Sequence, residues 1–162
     1  MVIIVSLFSF VLEFLINYFF HGTKFVGLII FSSLILLEPY FKNDSRNFFI
    51  FCFLLGFIYD FAYTGFYFMN AGLFLLIGFI VSYINRVTPN NLIVSILELL
   101  FMIVFYRFLS FSFLCLNGVI VADVGVFFSS IYSSIIVSLF YGLVLYFVLY
   151  LLSLRFNIRR IN

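Results

Sequence analysis

Four ionisable residues, Glu13, Asp60, Glu98 and Arg107, lie inside otherwise apolar runs of this chain. They are where its chemistry would have to sit. A charge in hydrocarbon costs about 2.5–3.5 kcal/mol at a helix centre on insertion scales, so each residue must face the interior of a bundle or hold a partner. Counting along helices from their first residues, Glu13 falls about 16 Å deep, Asp60 about 18 Å, Arg107 about 22 Å and Glu98 about 9 Å. Glu98 and Arg107 stand nine residues apart, which sets them on opposite faces of one helix. Arg107 shares a level with Asp60 and Glu13, and the expected partner is Asp60, with Glu13 nearby.

Other reactive residues point to no catalytic arrangement. The lone histidine, His21, falls in a connection, and Cys52 and Cys115 lie in apolar runs with no metal-ligand spacing. The sequence contains no glycine-rich phosphate loop, no His-Glu-x-x-His pair of metal ligands and no Cys/His cluster. The expectation is therefore a protein that is not an enzyme and that holds no cofactor and no metal.

The elements that position these residues follow from composition. The 162 residues are 67% hydrophobic and 9% charged, with a mean hydropathy of +1.34. Soluble domains carry roughly 25% charged residues, so most of this surface must face lipid. The apolar runs, such as 48–55 and 72–81, are continuous rather than alternating, which excludes a β-barrel. The class is all-α, an integral membrane bundle forming a single polytopic domain over 1–162. Six transmembrane helices are expected over about 2–20, 25–41, 48–69, 72–84, 92–116 and 126–154. The start has no basic region and no small-residue cleavage site, so it reads as a retained first span rather than a leader. The third and fourth spans share 37 residues with their turn, which leaves each barely a bilayer's thickness.

Basic residues orient the bundle. Lys42, Arg46, Arg86, Arg155, Arg159 and Arg160 fall on the side of the N-terminus, and Lys24 alone on the other. By the positive-inside rule both termini face the cytoplasm. The same basic residues can meet anionic lipid, each contributing roughly 1 kcal/mol near the surface.

One segment carries a family resemblance. In Leu55-Gly56-Phe57-Ile58-Tyr59-Asp60-Phe61-Ala62-Tyr63-Thr64-Gly65, Gly56 and Asp60 end an apolar helix, and a polar turn with Thr64 and Gly65 leads to another helix ending at Tyr83-Ile84-Asn85-Arg86. This resembles the rod shape-determining protein MreD, with Tyr59 and Tyr63-Thr64 similar to its Firmicutes-type version. The length and span count are similar to that family over the whole chain. Phe68 stands where the family often has a glycine, eight residues after the aspartate. Pro39 comes late in span two rather than at its start, and no acidic residue near Tyr106-Arg107 matches one often found late in the family's fifth span.

The resemblance implies a bundle similar in fold to the substrate-binding components of energy-coupling-factor transporters. It implies a non-enzymatic scaffold of the bacterial cell-elongation machinery in the cytoplasmic membrane. The expected partner is an MreC-like membrane protein, with the MreB filament and the RodA–transpeptidase wall synthase reached indirectly, membrane lipid around the bundle and no nucleic acid. The alternative is a vitamin-binding transporter component, which usually carries an alanine stripe on its first helix. This chain has only Ala62, Ala71 and Ala122, none of them in span one.

Overall fold

A computed structural model describes residues 2–19, 28–41, 45–64, 68–88, 91–120 and 123–156, without the side chains of Thr64 and of residues 153–156. The described residues form six helices. These are α1 (Val2–Phe19), α2 (Ile29–Leu37), α3 (Ser45–Tyr59), α4 (Met69–Val87), α5 (Leu92–Leu116) and α6 (Val124–Phe156). A 3-10 turn, Glu38–Tyr40, extends α2, and a π turn, Asp60–Thr64, extends α3. No strand occurs among the described residues. Five of the helices are long and apolar enough to cross a membrane. The protein is an all-α, multi-pass membrane bundle.

The second helix departs from expectation. With its 3-10 turn it covers only Ile29–Tyr40, about 20 Å against a hydrocarbon core of roughly 30 Å. All nine residues of α2 are buried, and the helix packs against α1, α5 and α6 and more lightly against α4. A helix surrounded by protein has no need to match the bilayer. Continuous apolarity cannot reveal this, because lipid-facing helices look the same.

Around α2 the usual polarity of a globular protein is inverted. In α1 the buried residues are Ser6, Ser9 and Glu13, while Ile4, Leu7, Phe8, Val11 and Phe14 are exposed. In α6 Ser133, Ser134 and Ser138 are buried, whereas Phe128, Phe140 and Phe147 are not. Lipid supplies no hydrophobic drive for helix association, so small hydroxyl residues that allow close packing and hydrogen bonding line the contacts.

Helices α3 and α4 make the most extensive pairing in the bundle. A Cβ on Gly56 would collide with the Asn70 carbonyl oxygen and lie 2.6 Å from the Ala71 Cα. A Cβ on Gly78 would lie 2.6 Å from the Cys52 sulfur. The close approach of the two helices therefore depends on both glycines. The third span does not run over 48–69: it begins at Ser45, and Met69 already belongs to α4, which extends to Val87 rather than covering 72–84. Polar residues such as Asn47 and Asn85 occupy terminal helical turns, which hydropathy alone assigns to loops. The sixth helix likewise runs past the expected 126–154 at both ends. The fifth starts and ends as expected.

The two glycines should differ in what can relieve them. Gly56→Ala meets α4 backbone and should cost about 1–3 kcal/mol, with no compensating change available. Gly78→Ala meets a side chain, so Gly78→Ala with Cys52→Ala should recover most of what Gly78→Ala alone loses. Unfolding midpoints of the purified variants in detergent would check both.

Candidate functional site

A helix that starts within an apolar environment leaves its first N–H groups without partners and exposes the positive end of its dipole. Two helices here start in that way. The residue before α2 is Leu28 and the residue before α4 is Phe68, and neither offers a side-chain cap. Both starts receive a carboxylate from another element instead.

Glu13 of α1 serves α2. Its Oε2 accepts the Ile30 N–H at 2.8 Å and its Oε1 accepts the Tyr59 hydroxyl at 2.9 Å. The Glu13 side chain is fully buried. Ser138 of α6 completes the end, accepting the Leu28 N–H at 3.0 Å.

Asp60, the first residue of the π turn, serves α4. Its Oδ1 accepts the Asn70 N–H and the Asn70 side-chain amide, each at 2.9 Å, and its Oδ2 accepts the Ala71 N–H at 3.0 Å. The Asn70 Oδ1 in turn accepts the Tyr106 hydroxyl at 2.6 Å. Asp60 and Asn70 are both buried. Charge-assisted bonds of this kind are about twice as strong as neutral ones.

Because Tyr59 and Asp60 are consecutive, the two capped ends form one polar layer through α1 to α5. Aromatic rings enclose it. Phe31 and Phe74 lie 5.8 Å apart, Phe31 and Tyr106 5.3 Å, and Tyr59 and Phe74 5.5 Å, centre to centre. Tyr59 and Tyr63 share a face, as their spacing suggests, with rings 4.6 Å apart.

The expected Asp60–Arg107 ion pair is not built. The Arg107 guanidinium donates Nε to the Ser134 hydroxyl of α6 at 2.8 Å, with Nη2 on the same oxygen. The reason is rotational. Neighbouring residues on a helix point about 100° apart, and Tyr106 takes the direction that leads to Asn70 and Asp60. Arg107 is left facing α6.

Glu98 is buried but lies apart from this layer, as its spacing from Arg107 requires. Glu38, at the end of α2, accepts the Asn85 amide at 2.9 Å. Cys52 is buried and Cys115 half-buried, and both are free thiols. No group of three or more His, Cys, Asp or Glu suited to a metal occurs among the described residues. Gly65, His21, Lys24 and Lys42 lie outside the described residues, as do Arg159, Arg160 and the side chains of Thr64 and Arg155.

Sequence reading missed Asn70 and Tyr106 as members of the layer. A signal existed for the tyrosines. The chain has 28 Phe and 11 Tyr, so its default aromatic in lipid is Phe. A Tyr at the level of buried acids therefore marks a hydroxyl with work to do. Comparison with family models, curated proteins and solved structures finds no match to this chain.

What the arrangement achieves chemically is anchoring: two acidic side chains fix the starts of two helices. Asp60→Ala would strand three buried donors, two backbone N–H groups and the Asn70 amide, and should cost about 3 kcal/mol, and exchanging Asp60→Arg with Arg107→Asp should not restore folding. A double-mutant cycle of Glu13→Gln with Tyr59→Phe should give a coupling of about 1–2 kcal/mol. Chemical unfolding in detergent measures all three.

Proposed function

We propose that the chain is a membrane scaffold of the bacterial cell-elongation machinery, similar to MreD, and that it acts without a catalytic step. In this reading it sits in the cytoplasmic membrane with both termini inside. Its helices hold an MreC-like partner, through which the MreB filament and the RodA–transpeptidase synthase are reached.

The observation that carries the reading is the backbone of Phe68. Its φ of 67° is left-handed, a conformation costing about 1–2 kcal/mol for an L-residue with a side chain and little for glycine. This is the position, eight residues after Asp60, at which the resembled family often has glycine. Where the chain departs from the family's residue, it keeps a turn that suits that residue. Gly56 and Asp60 support the same reading, since one admits the α4 backbone and the other bonds its first turn. The three positions work as one device that closes α3 onto α4.

Two measurements test the proposal. Phe68→Gly should leave the unfolding midpoint unchanged or raised, whereas Phe61→Gly, seven residues earlier and exposed, should lower stability by about 1 kcal/mol. Photocrosslinkers at Phe61 and Phe68, at the outer end of the α3–α4 pair, should capture an MreC-like protein in the native membrane, and one at Phe140 of α6 should not. Recovery of a vitamin or an ATP-hydrolysing module instead would favour the transporter component.

A further inference from the structure

The outer face of the α3–α4 pair carries a groove of about 510 Å³ lined by Arg46, Phe49, Ile50, Phe53, Leu54 and Leu75. The five residues from α3 follow the spacing of a single helix stripe, so the groove runs about 12 Å along the helix from its first turn. Ile50 and Leu54 are about half exposed, and both helices are long and apolar enough to span. The groove therefore opens onto lipid.

Its chemistry changes along its length. Five lining residues are apolar, and the one polar residue is Arg46, exposed, at the end where α3 begins. A second guanidinium lies beside that end. Arg86, in the last turn of α4, donates to the Ser45 hydroxyl at 2.6 Å, one residue from Arg46. Arg46 thus stands at the mouth of an apolar trough, with Arg86 beside it, at one end of two helices long enough to span. No acidic residue lines the trough.

We infer that this groove is a binding site for an anionic phospholipid, its phosphate held by Arg46 with Arg86 adjacent and one acyl chain laid along Phe49, Phe53 and Leu54. A guanidinium suits the task because its planar donors match phosphate oxygens in pairs. A zwitterionic lipid fits the trough equally well but brings a choline or ethanolamine cation toward the same two arginines. Selection is therefore by headgroup charge, and the apolar wall holds the lipid in place.

The chain has no tryptophan, so Leu54→Trp supplies a single fluorophore within the groove. In bilayers mixing brominated phosphatidylglycerol or brominated phosphatidylcholine with unlabelled lipid, quenching reports which lipid sits there. The expected result is a preference for phosphatidylglycerol of about fivefold, the worth of one basic residue near a charged surface. Adding Arg46→Gln should lower the ratio, and Arg46→Gln with Arg86→Gln should bring it to about one, while Arg46→Lys should keep most of the preference. Phe140→Trp, on the exposed face of α6, should show no preference with the same lipids. An equal response to both lipids at Leu54→Trp, or a preference that Arg46→Gln with Arg86→Gln leaves undiminished, would overturn the site.

Discussion

A helix that begins in an apolar environment must find partners for its first amides, and this bundle is arranged around two such beginnings. Neither α2 nor α4 has a capping residue of its own. Each takes a carboxylate from the preceding helical segment instead, Glu13 from α1 and Asp60 from the turn that ends α3. A buried charge is costly unless paired and bonded. Here the pairing is with the positive ends of helices and with directed N–H and O–H donors. Gly56 is needed because Asp60 can reach the amides of Asn70 and Ala71 only when α4 comes close. The π turn at Asp60–Thr64, one of the rare wide turns that often accompany special sites, carries the carboxylate at its first position.

The serines extend the same logic to the sixth helix. Ser138 accepts from the start of α2, its carbonyl accepts the Ser32 hydroxyl at 3.2 Å, and Ser134 receives Arg107. Ser9 and Tyr141 join α1 to α6 at 2.7 Å. Several of these serines also bond back to the carbonyl a turn earlier, as Ser9 does to Val5 at 2.7 Å, which keeps the hydroxyl satisfied within its own helix. Polar atoms thus face inward on the helices that show their apolar side to lipid.

The spans were legible because lipid demands long apolar runs, and the fifth could be read to the residue. The central position of α2 was not legible, since apolarity is the common property of what faces lipid and what faces protein. At the site, depth could be read and direction could not. The rise per residue placed Glu13, Asp60 and Arg107 at comparable levels, but which way a side chain points depends on which neighbour its helix meets. One residue is 100° of rotation, and that separates Tyr106, which reaches Asn70, from Arg107, which reaches Ser134. Glu13 and Asp60 were recognisable as residues that needed partners. That those partners are helix ends rather than a counter-charge required knowing where α2 and α4 begin.

The placement of directional bonds also decides what in the bundle is fixed. Apolar contacts tolerate sliding and rotation, because one methyl group serves nearly as well as the next. Hydrogen bonds to a carboxylate do not, since the donors must arrive at a set distance and angle. The layer of Glu13, Tyr59, Asp60, Asn70 and Tyr106 therefore sets the depth and rotation of five helices at one level. Many of the exposed side chains are Phe, Leu, Ile and Val, which can repack against lipid without disturbing that register.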